Sequence, residues 1–170
     1  MAHIKKLNFL KNHKDLVDEN YGMVAVPTFS DKMDKDLAEL FKSQNKTGKV
    51  GDLVFEIDNS SRIVYYGLGD SSEKTAEDFR RAAGEVVGYA LKHKYSDIAV
   101  ECPVTDEGEY FCQAFAEGLI LSSYRFLDYF TDERGEYHLN SITMVDACNQ
   151  DAAKKGAIIA SAVCLSLIHI

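Results

Sequence analysis

Short apolar runs along the chain predict strands, because their length and their flanking turn residues suit buried β-structure. The clearest run is 23–26 within 21–29, and Pro27 is expected to end that strand. Leu7 and Phe9 alternate around Asn8, which permits an earlier strand. Further strands are predicted at 53–57, 63–66, 97–100 and 141–145. The polar turn between the first two of these predicts a hairpin.

Apolar residues at helical spacing predict helices between the strands. Asp31 is expected to cap the first helix, and Thr75 and Asp78 have the spacing of a capping box at the second. Asn149 or Asp151 is expected to cap the last. The predicted helices cover 31–42, 75–94, 107–123 and 149–163. Strands alternating with helices predict an α/β fold with a largely parallel or mixed sheet.

Length and charge narrow the class of protein. The 170 residues suit one domain, or one domain plus the start of a linker. The formal net charge of -8 disfavours nucleic acid as a partner, because an acidic surface repels phosphates. Lys5, Lys6, Lys11 and Lys14 interrupt any secretory signal. The apolar stretch 156–170 is shorter than the about 20 residues of a membrane span. We interpret the protein as soluble and cytoplasmic, with no membrane partner.

Residues with reactive or metal-binding side chains are scattered. The four cysteines are Cys102, Cys112, Cys148 and Cys164. None has C-x-x-C spacing, so small buried side chains in a reducing compartment are favoured over disulfides or a metal site. The histidines are His3, His13, His93, His138 and His169. No serine lies in a G-x-S-x-G motif. This holds also for the serine pairs at 60–61, 71–72 and 122–123. We therefore predict no catalytic, cofactor-binding or metal-binding residue in this chain.

The turn Gly67-Leu68-Gly69 lies between a predicted strand and a predicted helix. Its backbone N–H groups could hold a phosphate, as such turns do in nucleotide-binding proteins. However, the third glycine of a G-x-G-x-x-G motif is replaced by Ser72, and Asp70 brings negative charge. We favour a structural turn, in which glycine lets a strand turn tightly into a helix.

Two further groups of side chains have both a functional and a structural interpretation. The acidic group consists of Asp106, Glu107, Glu109 and Glu117. It could hold a metal or act in acid–base chemistry, but solvated charge at a helix start is favoured. The aromatic group consists of Tyr124, Phe126, Tyr129 and Phe130. It could stack on a ligand, but a core edge or a domain contact is the more frequent role.

Three segments together resemble the N-terminal domain of the leucine (cytosol) aminopeptidases. The first is Tyr65-Tyr66-Gly67-Leu68-Gly69, followed by 75–88 with the step Ala82-Ala83-Gly84. The second, residues 117–129, is similar to the family segment E-G-x-x-L-x-x-Y-x-F-x-x-Y. The third, 156–163, is similar to the helix that links the two domains of the family. Their order and spacing fit the family over roughly residues 21–163.

The resemblance implies a macro-domain-like α/β fold with a mixed sheet flanked by helices. It also implies a parent enzyme that removes N-terminal residues from peptides and assembles as a homo-oligomer, a hexamer. In this family two divalent metal ions of the zinc or manganese class lie in the C-terminal domain and activate a bridging water. The family segments N-T-D-A-E-G-R-L and D-x-G-G are absent here, so no catalytic or metal-binding residue is carried over.

The expected organisation is therefore an N-terminal aminopeptidase domain at 1–148, the start of the linking helix at 149–163, and a non-native tail at 164–170. The tail resembles translated vector sequence, which predicts a truncated gene record. The domain is expected to support assembly or access in a metallo-aminopeptidase and to be inactive alone. The alternatives are a free-standing macro-like module that binds a nucleotide or ADP-ribose at Gly67–Gly69, and a protein-interaction module that uses the aromatic group.

Overall fold

The order of strands and helices follows the sequence pattern closely. A computed structural model describes Ile4 and residues 6–10, 21–57, 62–125, 137–147 and 149–166. The strands are β1 (Lys6–Leu10), β2 (Met23–Thr28), β3 (Leu53–Ile57), β4 (Arg62–Gly67), β5 (Asp97–Glu101) and β6 (Ser141–Val145). The helices are α1 (Lys35–Ser43), α2 (Ala76–Lys92), α3 (Gly108–Ser123) and α4 (Gln150–Ser166).

The six strands form one sheet in the order β1-β6-β5-β2-β4-β3. All neighbours are parallel except β3 and β4, which are antiparallel. This confirms the predicted mixed α/β fold and the pairing of β3 with β4. The hairpin turn at 58–61 lies outside the described residues. Parallel strands need long crossovers: α3 supplies the one between the neighbours β5 and β6, and α2 connects β4 to β5 past the intervening β2.

The core lies between one face of the sheet and helices α2, α3 and α4. Helix α3 packs against α2 on one side and α4 on the other. Its middle position explains why it is buried on more than one side, with Phe115, Ala116, Leu119 and Ile120 all in the core. From the sheet, Ile98, Val100, Ile142 and Met144 meet these helices, as alternation along a strand requires.

Two of the predicted caps are confirmed and one is wrong. Thr75 and Asp78 form a capping box at α2, and Ala152 N donates to Asn149 Oδ1 at 2.9 Å at the start of α4. Asp31, however, does not cap α1. That role belongs to Asp34, whose carboxylate accepts from Leu37 N at 2.8 Å. The carboxylate of Asp31 instead accepts from the backbone N–H and hydroxyl of Ser71, so a tertiary contact prevails over the local one.

Pro27 does not end its strand, contrary to the sequence-based expectation. Strand β2 continues to Thr28 and stays paired with β4 through that residue. On its other side, β2 pairs with β5 only from Met23 to Ala25. Pro27 therefore lies where the strand has one hydrogen-bonded neighbour, and a residue without an N–H is tolerated at such an edge.

Two glycines let the helices approach at backbone distance. A Cβ atom at Gly118 of α3 would lie 2.6 Å from the carbonyl oxygen of Arg80 in α2. A Cβ at Gly156 of α4 would lie 2.4 Å from the carbonyl oxygen of Gln113 in α3. In both cases the obstructing atom belongs to the backbone, so a side chain cannot move aside to make room. The spacing of all three helices therefore depends on these two positions.

Gly118→Ala is expected to destabilise the protein by about 1–3 kcal/mol, because the added methyl group forces α2 and α3 apart. Gly88→Ala on α2 is the matched control. No atom lies within 4 Å of a Cβ at Gly88, so alanine there is expected to stabilise the helix by about 0.5–1 kcal/mol. Urea unfolding of both variants measures the difference, and equal midpoints would contradict the proposed close contact.

Candidate functional site

The Gly67–Gly69 turn is a packed structural turn. Its three backbone N–H groups donate to Asp52 O at 2.8 Å, Thr28 O at 2.9 Å and Gly48 O at 3.0 Å. A Cβ at Gly67 would lie 2.3 Å from Lys49 O, because the loop at 48–49 lies directly on the turn. Gly69 has a φ of 76°, which favours glycine. The donors that a phosphate would need are thus used within the protein.

The amides that follow the turn are occupied by carboxylates. Ser71 N donates to Asp31 Oδ1 at 2.9 Å, and Ser72 N donates to Asp70 Oδ1 at 2.8 Å. The hydroxyl of Ser71 lowers the pKa of Asp31, so negative charge is maintained beside the turn. An anion would have to displace these bonds and would meet two carboxylates. The structural interpretation is therefore supported, and the nucleotide-binding interpretation is not.

Asp52 organises the loop that covers the turn. Its Oδ2 accepts from the backbone N–H groups of Thr47, Gly48 and Lys49 at 3.0, 3.0 and 3.2 Å. Lys46 Nζ lies 3.2 Å from the other carboxylate oxygen. Desolvation raises the pKa of Asp52, but the amide of Thr47 and the ammonium of Lys46 outweigh it and the net pKa is lowered. The charged form of this carboxylate is therefore the one that holds the loop.

The acidic group does not act as one cluster. Asp106, Glu107 and Glu109 are exposed at the start of α3, as expected of solvated helix-start charge. Glu117 is different: only 7% of the residue is exposed. Its Oε2 accepts from Arg80 Nε at 2.9 Å and lies 2.8 Å from Nη2, and Gln113 Nε2 donates to its Oε1 at 2.8 Å.

The prediction of a solvated charge is therefore wrong for Glu117. Sequence spacing places Glu117 two turns beyond the start of α3 but does not show that α2 lies against that face. The partner comes from 37 residues away. A buried carboxylate needs a charged partner and filled hydrogen bonds, and Arg80 with Gln113 supply both. The pair links α2 to α3 and has a structural role.

The remaining residues considered from sequence do not converge on one site. His93 is exposed and its ring centroid lies 4.1 Å from that of Tyr89, while His138 precedes β6. Ser72 Oγ donates to Asp70, and Ser123 Oγ donates to Ile120 O. Among the aromatic group, Tyr124 is half-buried at the end of α3. Residues outside the described part are His3, His13, His169, Ser60, Ser61, Phe126, Tyr129 and Phe130.

Three of the cysteines are buried thiols, as predicted. They are Cys102, Cys112 and Cys164, and no disulfide joins them. Cys148 lies outside the described residues. Burial raises the pKa of the Cys164 thiol, which lowers its reactivity. Cys102 and Cys112 lie together, with 3.6 Å between their sulfur atoms.

An apolar groove between β1, α3 and α4 was not found from the sequence. Its cavity has a volume of about 540 Å³. Ile4, Leu7, Ile120, Ile158 and Leu165 line it, with Lys6 and Ser161 as polar neighbours. Ile158 is 71% exposed and Leu165 is 53% exposed. Large apolar side chains clustered beside a cavity are typical of an interaction surface. The signal in the sequence for this groove is that α4 has more apolar residues than one buried helical face requires.

Neither a metal cluster nor a membrane-spanning helix is found within the ranges that the structure describes. No three His, Cys, Asp or Glu side chains there could hold a metal ion. None of the helices in this part has the length and apolar character that a membrane crossing requires.

The fold and the surface define a mixed α/β domain with an apolar groove and, in the described part, without a metal cluster. Residues 17–133 match the model of the cytosol aminopeptidase family, N-terminal domain. The chain therefore belongs to the cytosol aminopeptidase family, and the match is to its N-terminal domain. This confirms the resemblance that the glycine turn and the Glu117-Gly118 segment indicated.

Curated relatives carry the same family name. A probable cytosol aminopeptidase of Mycobacterium tuberculosis is 33% identical over 106 residues, which cover 59% of this chain and 20% of the relative. Those of Agrobacterium fabrum and Synechococcus elongatus are 29% identical over 104 and 92 residues, covering 59% and 54% of this chain. The chain thus spans only about a fifth of the length of these relatives, 18% to 21%.

Solved structures share the fold at low identity. A mutant of tomato leucine aminopeptidase matches 99% of this chain and 39% of its own, with a TM-score of 0.75 and 17% identity. The bottromycin maturation enzyme BotP matches 85% of this chain and 31% of its own, with a TM-score of 0.72 and 21% identity. Both likenesses establish the six-stranded fold only.

Asp52→Asn is expected to destabilise the protein by about 1–2 kcal/mol at neutral pH, because the loop amides lose a charged acceptor. The folded pKa of Asp52 is lowered from 3.8, so its contribution is complete above that value. It is lost as the pH falls through the lowered folded pKa. The difference between the wild-type protein and the variant should therefore shrink in acid.

Urea unfolding at pH 7 and near pH 3 measures this difference. Asp106→Asn serves as the matched control, since Asp106 is exposed and its substitution should change stability little at either pH. A difference for Asp52→Asn that stays constant across this range would contradict the assigned role of the carboxylate.

Proposed function

We propose that this chain is the N-terminal, non-catalytic domain of a leucyl aminopeptidase, a metallo-exopeptidase that removes N-terminal residues from peptides. The main observation in support of this proposal is the match of residues 17–133 to the N-terminal domain of the family. It is supported by the small share of the curated relatives that the chain spans, 18% to 21%. The catalytic machinery of the family then belongs to a part of the polypeptide that these 170 residues do not include.

The residues that the structure describes do not fit the two metal ions that the family implies. A two-metal centre needs several carboxylate or imidazole ligands within one site, and the described residues hold no group of three that could serve. We therefore assign the metal ions, of the zinc or manganese class, to the catalytic part. The chain alone is proposed to be inactive and to serve assembly of, or access to, a cytoplasmic homo-oligomeric enzyme, a hexamer by resemblance.

We assign the apolar groove beside α4 to the catalytic part of the same polypeptide. Helix α4 is the last described element and corresponds to the helix proposed to link the two domains. Its exposed Ile158 and Leu165 lie on the groove. A covalently joined domain is present at high effective concentration, so a modest apolar contact is enough to position it. A second copy of this chain is the competing occupant.

The rival functions have less support. Nucleotide binding at Gly67–Gly69 lacks free donors, because the turn amides bond to backbone carbonyls. Calorimetric titration with ADP-ribose is expected to give no heat of binding at this turn. A protein-interaction module based on the aromatic group depends on residues outside the described part, apart from Tyr124. No observation on the described residues favours either rival over the aminopeptidase domain.

Reading the gene beyond the codon for Val163 tests the proposal directly. We expect an open frame that continues into segments of the N-T-D-A-E-G-R-L and D-x-G-G type. The purified 170-residue chain should not hydrolyse leucyl-p-nitroanilide with added Mn²⁺ or Zn²⁺, whereas the product of the longer frame should. A native stop codon after Ile170, or hydrolysis by the short chain, would overturn the proposal.

Ile158→Ser tests the groove. In the short chain the substitution should leave the thermal midpoint nearly unchanged, because Ile158 is 71% exposed there. In the full-length enzyme it should lower the midpoint by a few degrees and increase proteolysis between the domains, because an apolar contact is lost. Differential scanning calorimetry of both proteins gives the comparison.

Ile159→Ser is the control, since Ile159 is the adjacent residue on α4, is 42% exposed, and is not among the residues that line the groove. Similar effects of both substitutions in the full-length enzyme would show that the groove has no special role. Sedimentation of the short chain shows whether a second copy of the chain occupies the groove. A dimer that Ile158→Ser abolishes would assign the groove to a second copy instead.

A further inference from the structure

Cys102 and Cys112 place two thiols in contact where three elements meet. Cys102 follows β5, and Cys112 lies in the second turn of α3. Their sulfur atoms are 3.6 Å apart, and each residue is 1% exposed. Cys102 N donates to Val145 O at 2.8 Å, which fixes this part of the backbone to the end of β6. The two sulfur atoms are therefore held close by the fold itself.

The pair is also joined to the start of α4. The Cys112 sulfur lies 3.3 Å from the carbonyl oxygen of Asn149, in position to donate its S–H. The same carbonyl accepts the first helical bond of α4, from Ala153 N at 3.1 Å. The Asn149 side chain caps the helix through Ala152 N. The hydrogen bonding of Cys112 is thus coupled to the first turn of α4.

We propose that Cys102 and Cys112 form a redox-responsive dithiol, which hydrogen peroxide converts into an intramolecular disulfide, and that this disulfide loosens the start of α4. The inference concerns this chain alone and does not rest on the proposed aminopeptidase role. It adds an oxidation site to a domain in which we predict no catalytic residue.

The reaction balances with hydrogen peroxide as the oxidant. One thiol, as thiolate, attacks a peroxide oxygen, the O–O bond breaks, and a sulfenic acid and one water form. The second sulfur then attacks the sulfenyl sulfur, the S–S bond forms, and the sulfenyl oxygen leaves as a second water. The two thiols lose two electrons and two protons in all, and the peroxide is reduced to two waters.

The geometry requires only a small movement. The sulfur atoms must approach from 3.6 Å to the bonded distance of about 2.05 Å. Cys102 lies at the start of the non-helical segment 102–105, so an adjustment on its side does not break a helix. Burial restricts attack to molecules small enough to enter during local opening, so oxidation is expected to be slower than that of an exposed thiol.

Disulfide formation has a consequence for α4. Once Cys112 is bonded to Cys102, it no longer carries an S–H to donate to Asn149 O. The carbonyl at the first helical bond loses one of its two donors, and amide exchange in the first turn of α4 should rise by about two- to five-fold. The oxidation state of the pair is therefore reported by the helix that lines the groove.

Peptide mapping of the native chain after treatment with hydrogen peroxide tests the pairing. The protein is then denatured and alkylated, and it is digested with an endoproteinase that cleaves after glutamate. Trypsin is unsuitable, because no Lys or Arg lies between the two cysteines. Cleavage after Glu101, Glu107, Glu109 and Glu117 should yield residues 102–107 linked to residues 110–117, with the mass of two hydrogen atoms lost.

Cys164→Ser should retain the link, since Cys164 lies on α4 away from the pair. Cys112→Ser should abolish it while keeping a hydroxyl that can donate to Asn149 O. Peroxide should therefore raise amide exchange at Ala152 and Ala153 in the wild-type chain and not in Cys112→Ser. Oxidation of added glutathione in the same sample shows that the peroxide is active. The proposal would be overturned if both thiols could still be alkylated under these conditions, or if either cysteine were linked to a different one. Unchanged amide exchange in the peroxide-treated wild-type chain would also overturn it.

Discussion

The close contact of α2 with α3 at Arg80 is the constraint on which the packing of the three core helices α2, α3 and α4 depends. Gly118 brings the α3 backbone against the α2 backbone, and Glu117 beside it pairs with the Arg80 side chain. A buried carboxylate without its partner is costly, and backbone atoms do not yield to an added methyl group. The adjacent Glu117 and Gly118 thus fix both the distance and the register of the two helices.

This constraint extends to α4 through Gln113. The side chain of Gln113 completes the hydrogen bonding of Glu117, and its carbonyl is the atom that Gly156 approaches. Cys112, the preceding residue, reaches the carbonyl of Asn149 at the start of α4. The position of α4 is therefore set by contacts along one helix, α3. Because α4 forms one wall of the apolar groove, the shape of the groove depends on the same contacts.

Periodicity in the sequence is sufficient to predict the strands and helices, but it does not predict which residues contact each other in the folded chain. The alternation of Leu7 and Phe9 around Asn8 and the capping box at Thr75 are local features, and the structure has a strand and a capped helix start at these positions. The burial of Glu117 and the capture of Asp31 by Ser71 depend on residues 37 and 40 positions away. The groove combines apolar residues of β1, α3 and α4, and no single stretch of sequence contains it.

The glycine turn shows why a short motif predicts a function only in its context. Gly67-Leu68-Gly69 follows a strand and precedes a helix, as phosphate-binding turns do. In this fold the loop at 48–52, held by Asp52, lies on the turn and accepts two of its N–H groups. The same glycines that would admit a phosphate admit the protein's own backbone instead. Because the N–H groups of the turn are already bonded within the protein, a partner would contact the surface of the domain and not the turn. The exposed apolar part of that surface is the groove beside α4.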